Sequence, residues 1–198
     1  MTILVLASAS AVRARLLREA GVPFEVRPAG VDEDEIKTSL LAEGAGPAAI
    51  ADALAELKAV RVSTKQPQTL VLGCDQVLVF EGKVVDKSPN LIEARALLQR
   101  LRGKQHVLVT SCVLAKGGSV IWRRREEAAL RMRPFGDKFL EDYLSAEGEA
   151  ILSSVGCYHL EGRGAQLFEQ VQGDYFAVLG LPLIPLLAAL REHGVIEK

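Results

Sequence analysis

An excess of either charge is the first thing this chain lacks. Its 24 lysines and arginines are balanced by 25 aspartates and glutamates, a formal net charge of −1. Nothing in that balance calls for nucleic acid or an anionic membrane as a partner, so any basic site has to be local. Cysteine is equally sparse. Cys74, Cys112 and Cys157 are odd in number and widely spaced, and no CxxC occurs. That argues against a disulfide framework and for a reducing compartment, the cytoplasm, with the thiols in the core. Cys157 and His159 are too isolated for a standard zinc site. A membrane span is missing too, because the longest apolar stretch, Ala177–Leu190, is broken by Gly180, Pro182 and Pro185. No GxxxxGK[ST] loop occurs, and no basic region precedes the short apolar start, so a secretory signal is not expected. Internal repeats and low-complexity tails are absent as well.

What remains is 198 residues with ample material for a core, expected as one domain over 1–198 or as two intimately packed lobes. Thr2–Ala7 reads as a buried strand, and Ala11–Ala20 as a helix capped by Ser10 and stopped at Gly21. Such a strand–turn–helix unit points free N–H groups and the positive end of a helix dipole outward. Ser8 adds a hydroxyl and Arg13 a guanidinium, together an anion site. The acidic cluster Asp32–Glu35 reads as a solvated loop or helix start, with a magnesium ligand among its four carboxylates as the functional alternative. Ala48–Ser63 is predicted helical, and its periodicity nominates either Lys58 or Arg61 as an inward-facing cation.

Leu70–Pro89 is the stretch with the most chemistry. A buried strand Leu70–Leu72 ends at Gly73, and Asp75 follows as a carboxylate that burial makes costly unless it is paired or metal-bound. A hairpin then turns at Glu81–Gly82 and returns to Lys87. Asn90–Arg102 is a capped helix, and His106–Ala115 and Ser119–Met132 are strands joined at Gly117–Gly118. Arg123–Arg125 lies on the second of these strands as a solvated edge, with Glu126 and Glu127 directly after it. A helix follows Gly136–Asp137, a Gly-rich polar stretch runs from Ser153 to Leu183, and Pro182–His193 is the last helix.

In combination these pieces resemble the Maf family of nucleoside triphosphate pyrophosphatases, from LASASAVRARLL near the start to GDYFAVLGLPL near the end. The resemblance implies an α/β fold, an elongated mixed sheet with flanking helices that form two lobes around a central cleft. It also implies a cytoplasmic, metal-dependent enzyme that splits a nucleoside triphosphate into monophosphate and diphosphate. By position, the family's serine and arginine match Ser8 and Arg13, its acidic residue matches Glu33, and its helical lysine matches Lys58, which decides against Arg61. Its aspartate matches Asp75, the lysine after the hairpin Lys87, and the polar residue before the late glycine Glu161.

On this reading Ser8, Arg13, Lys58 and Lys87 would cradle phosphates. Glu33 and Asp75 would hold Mg²⁺ or another divalent cation such as Mn²⁺, and Asp75 would accept the proton of the attacking water. The chain departs from the family pattern at Ala11, Val12, Ser88, Ser154 and Glu161, which bears on substrate identity rather than on the reaction. Gln76 with Glu161 resembles the 7-methyl-GTP subgroup. The alternatives are the pyrimidine triphosphates dTTP and UTP, a non-catalytic nucleotide-binding regulator of cell division, and a hydrolase using Cys157 and His159. A homodimer is admitted.

Overall fold

The computed structural model of the chain describes residues 3–197. Its strands are β1 (Leu4–Leu6), β2 (Phe24–Val26), β3 (Leu70–Phe80), β4 (Lys83–Val85), β5 (Gln105–Lys116), β6 (Ser119–Met132) and β7 (Phe168–Gln172). They form one mixed seven-stranded sheet in the order β2-β1-β3-β5-β6-β7, with β4 paired to β3. The flanking helices are α1 (Ala11–Glu19), α2 (Glu33–Ala42), α3 (Pro47–Lys65), α4 (Leu91–Leu101), α5 (Asp137–Glu147), the single turn α6 (Tyr175–Val178) and α7 (Leu183–Glu192). Among the described residues no helix is long and apolar enough to cross a membrane. Two compact units emerge: one comprises the chain up to Gln76, Thr110–Glu126 and the chain from Asp174, the other Val77–Val109 with Glu127–Gly173.

In the first unit β1 runs parallel to both β2 and β3, with Leu4 opposite Phe24 and Leu70, and Leu6 opposite Val26 and Leu72. Parallel neighbours need a crossover, which α1 supplies from β1 to β2, and α2 with α3 from β2 to β3. Leu4, Leu6, Leu70 and Leu72 pack with Leu16 and Leu17 of α1 and Leu186 and Leu190 of α7. The expected strand end at Gly73 is corrected here, since β3 continues through it to Phe80. A Cβ at Gly73 would lie 2.2 Å from the Ala55 carbonyl oxygen and 2.6 Å from the Ala59 nitrogen. The glycine therefore marks where the α3 backbone comes close, not where the strand stops. Two elements of this unit bury little, although the acidic run Asp32–Glu35, read as a loop or helix start, does open α2. No residue of α2 is buried, so it has no apolar stripe, and β2 is half-buried at Phe24 and exposed beyond it.

The second unit holds the hairpin of β3 and β4, with Leu78 opposite Val85 and Phe80 opposite Lys83. Glu81 and Gly82 both have positive φ, 51° and 77°, the conformation a two-residue hairpin turn of matching twist requires. Asn90 caps α4 by accepting from the Glu93 amide at 3.0 Å, and Ala94, Leu97, Leu98 and Leu101 form its buried stripe. α5 buries Leu140, Tyr143 and Leu144, while Phe139 is only half-buried. A short 3₁₀ turn, Gly148–Ser153, leads into the Gly-rich stretch, whose part in this unit contains a second one, Arg163–Leu167, and β7, paired antiparallel to β6.

Candidate active site

The chemistry gathers where β1 stops. The Ala7 amide still donates to the Leu72 carbonyl at 2.8 Å, but β3 runs on beyond this point, and the turn leading into α1 takes over as its neighbour. Alternation along β3 sends Gly73 and Asp75 toward α3, and Cys74 and Gln76 to the opposite face. The end of a parallel strand followed by a helix start is where α/β sheets offer ligands both a crevice and unspent backbone N–H groups.

Arg13, from the first turn of α1, is 9% exposed and anchored on three sides. Its Nε donates to the Gly180 carbonyl at 2.8 Å, and its Nη1 to Ser8 Oγ and the Cys74 carbonyl, both at 3.0 Å. The Nη2 amino group takes part in none of these bonds, so two donors of the planar fork remain for a ligand. Ser8 Oγ also accepts from the Ser10 amide at 3.3 Å, and Ser10 caps α1 by accepting from the Arg13 amide at 3.4 Å. The cap predicted for Ser10 and the pairing of Ser8 with Arg13 are thus one local arrangement.

On the α3 side Lys58 Nζ lies 2.7 Å from Asp75 Oδ1 and 2.9 Å from Glu33 Oε1. Lys58 and Asp75 are buried, whereas Glu33 is half exposed at the start of α2. Three charged groups here compensate one another's desolvation, as burial of an ion pair demands. Asp32 caps α2 by accepting from the Glu35 amide at 3.0 Å, and that cap holds Glu33 in the first turn. Arg61 is exposed, so of the two cations the periodicity nominated it is Lys58 that turns inward. Among the described residues no group of three histidine, cysteine or acidic side chains forms a ready metal cage. Glu33 and Asp75 converge on Lys58 Nζ, and carboxylates are the donor type that Mg²⁺ takes, commonly one or two with water and phosphate oxygens completing its shell, so these two are the residues that could hold it.

Gln76 is committed differently. Its Nε2 donates to Thr110 Oγ1 at 2.7 Å and to the carbonyls of Ala177 and Val178 at 3.0 and 3.1 Å. Thr110 and Gly180 are residues that sequence reasoning passed over. The signals were a hydroxyl pair, Thr110–Ser111, inside an otherwise apolar strand, and a glycine in GDYFAVLGLPL.

Lys87 and Glu161 belong to the second unit, and both are exposed. Next to Lys87, Ser88 is buried and accepts from Cys157 Sγ at 3.3 Å. Burial pushes the Cys157 thiol up, and His159 Nε2 pairs with Ser153 Oγ at 3.2 Å rather than with the thiol. Neither feature suits a cysteine nucleophile, which needs a depressed pKa and a partnering base. All three cysteines are buried and free of disulfides, and Cys112 Sγ donates to Cys74 Sγ at 3.0 Å. The Arg123–Arg125 run is answered by Glu56 at 2.6 Å from Arg123, Asp52 at 2.5 Å from Arg125, and Glu126 beside Arg124.

Residues 3–193 match the family described as Maf-like protein. The chain is 55% identical over 190 residues to a nucleoside triphosphate pyrophosphatase of Granulibacter bethesdensis, with 96% of each chain covered. It is 53% identical over 196 residues to a protein of the same name from Caulobacter vibrioides, covering 99% of this chain and 98% of that one. A 7-methyl-GTP pyrophosphatase of Rhizobium meliloti is 45% identical over 195 residues, with 98% of each chain covered.

Proposed function

Since the chain belongs to the Maf-like protein family, we propose that it is a nucleoside triphosphate pyrophosphatase, a hydrolase that splits a phosphoric anhydride bond to release nucleoside monophosphate and diphosphate. The observation that carries this reading is the pair of buried cations at the end of β1, Arg13 with Nη2 unspent and Lys58 between two carboxylates. Hydrolysis of a triphosphate adds charge to the departing diphosphate, so fixed positive groups aimed at it supply much of the catalysis. Arg13, Ser8 and the amides opening α1 bind phosphate oxygens. Lys58 reaches Asp75 through Oδ1 and so orients the carboxylate, leaving Oδ2 to take the proton of the attacking water. Glu33 and Asp75 are the residues that would hold Mg²⁺ or another divalent cation such as Mn²⁺, and such an ion, when bound, neutralises phosphate charge. Lys87 is assigned to the phosphates by the resemblance alone.

For the base we infer 7-methyl-GTP, with Glu161 as the reader. The Watson–Crick edge of guanine presents neighbouring N–H donors, and a carboxylate accepts two at once. Methylation at N7 adds ring charge that a carboxylate favours further. The Rhizobium meliloti relative, which bears that substrate in its name, supports the choice. A reducing cytoplasm suits three cysteines free of disulfides. A turnover screen over canonical and modified nucleoside triphosphates, with and without Mg²⁺, tests the reading. The highest kcat/KM is expected for 7-methyl-GTP with the metal present. Absence of turnover on every nucleotide would overturn the enzymatic reading, and a preference for UTP or dTTP would overturn the choice of base.

A further inference from the structure

Thr110 lies within β5 and is 1% exposed. A hydroxyl so deep in an apolar strand is costly unless its hydrogen-bonding capacity is used. Thr110 Oγ1 donates to the Ala177 carbonyl at 2.8 Å and accepts from Gln76 Nε2 at 2.7 Å. Nε2 also reaches the Ala177 and Val178 carbonyls, which can only accept, so the orientation of the Gln76 amide is fixed. Asp174 Oδ1 holds the same turn from its other end by accepting from the Ala177 amide at 2.7 Å. Two residues past Val178, the Gly180 carbonyl takes Arg13 Nε at 2.8 Å. Gly180 has φ +91°, and a Cβ on it would lie 3.3 Å from Arg13 Nε and 3.4 Å from Nη2. The strap Asp174–Gly180 and the guanidinium therefore cannot move independently.

We propose that Thr110 is a positioning residue for Arg13. By holding the Ala177 carbonyl and the Gln76 amide it sets the Gly180 carbonyl, and that carbonyl sets the plane of the guanidinium and the aim of Nη2. The proposal rests on the reading that Arg13 meets substrate phosphates. It gives Gln76 a role in the same strap, and the base plays no part, so the effect is common to every nucleoside triphosphate.

Thr110→Val removes the hydroxyl at nearly constant shape, and Thr110→Ser keeps it. Thr110→Val is expected to lower kcat/KM about tenfold, equally for UTP and 7-methyl-GTP, with Thr110→Ser close to the unsubstituted protein. In an Arg13→Lys background the same substitution is expected to add nothing, because the group it positions is gone. A loss confined to one base would overturn the proposal, and so would an undiminished loss in the Arg13→Lys background. If Thr110→Val does not fold, Gly180→Ala, which presses on the guanidinium directly, is held to the same two outcomes. Calorimetric binding of inorganic tripolyphosphate separates this inference from the functional reading. Weaker binding by Thr110→Val, absent in the Arg13→Lys background, is expected even if no nucleotide is turned over. Unchanged tripolyphosphate affinity would overturn the positioning role by itself.

Discussion

In the first unit the buried polar side chains are Ser8, Arg13, Lys58, Ser63, Asp75, Thr110 and Ser111, and in the second they are Ser88 and His106. The first unit thus keeps ionised groups in its interior and compensates them locally, Arg13 with carbonyls and Lys58 with carboxylates. The second keeps its charges outside and stacks several on rings, such as the Arg133 guanidinium 4.1 Å from the Phe139 centroid. Its buried titratable centre is neutral and aromatic. His106 Nε2 pairs with Tyr158 OH at 2.6 Å, and Tyr158 packs edge-on against Phe168 at 4.8 Å. Among the described residues His106 Nδ1 is the one buried side-chain nitrogen or oxygen without a partner. Buried charge is costly, and its concentration in one unit is the feature on which the proposed phosphate site rests. A buried neutral histidine marks a place where packing, not chemistry, sets the residue's form.

That contrast can be broken most severely at Asp75. Asp75→Asn is expected to lower kcat by about 10²-fold or more, the scale of lost acid–base catalysis. It also strands Lys58 with only the half-exposed Glu33, so melting temperature should fall. Adding Lys58→Met to it should restore melting but not turnover. Near-normal turnover by Asp75→Asn would remove Asp75 from the mechanism.

The second unit is expected to fail in acid. Burial pushes the His106 imidazole down to about 4, against roughly 6.5 in an unfolded chain. Because the unfolded chain binds this proton first, stability is intact above pH 6.5 and declines as pH falls from there toward 4. The loss amounts to about 3 kcal/mol. Chemical denaturation across this range should show the decline, and His106→Gln should flatten it. A decline of equal size in the variant would place the acid sensitivity elsewhere.

Gly73→Ala sharpens the comparison from the packing side. The added methyl would meet α3 backbone at 2.2 Å, so a loss of roughly 1–3 kcal/mol from overpacking is expected by thermal unfolding. Unchanged stability would mean that α3 moves away from β3 without cost. The smallest effect is expected at Glu161. Glu161→Gln should lower kcat/KM for 7-methyl-GTP a few-fold more than for UTP, as befits loss of one charge-assisted contact. An equal loss on both would place Glu161 in machinery common to all substrates.

Much of this architecture was legible because apolar spacing and caps agree. Ser10, Asn90 and the glycine pair 117–118 each did what local chemistry requires of them. The misses have physical causes. α2 buries nothing, so its existence depends on the Asp32 cap and on Glu33 meeting Lys58, a tertiary contact that no periodicity announces. Apolar spacing left Lys58 and Arg61 open, but the buried face of α3 runs Ile50, Ala51, Leu54, Ala55, Lys58, Ala59 and Val62 and leaves Arg61 outside, and Asp75 and Glu33 meet Lys58 there. Arg13 was readable as an anion ligand, but its orientation was not, since that is set by the Gly180 carbonyl far along the chain. Thr110 looked like one polar residue in a strand, and only the fold supplies Ala177 as its acceptor.

The most direct test of buried cations serving a triphosphate is phosphorus NMR of the products after complete turnover of 7-methyl-GTP with Mg²⁺. Nucleoside monophosphate and free diphosphate are expected, with Arg13→Lys and Lys58→Met each slowing their appearance. Nucleoside diphosphate and orthophosphate as products, or variants that turn over at the unsubstituted rate, would contradict it.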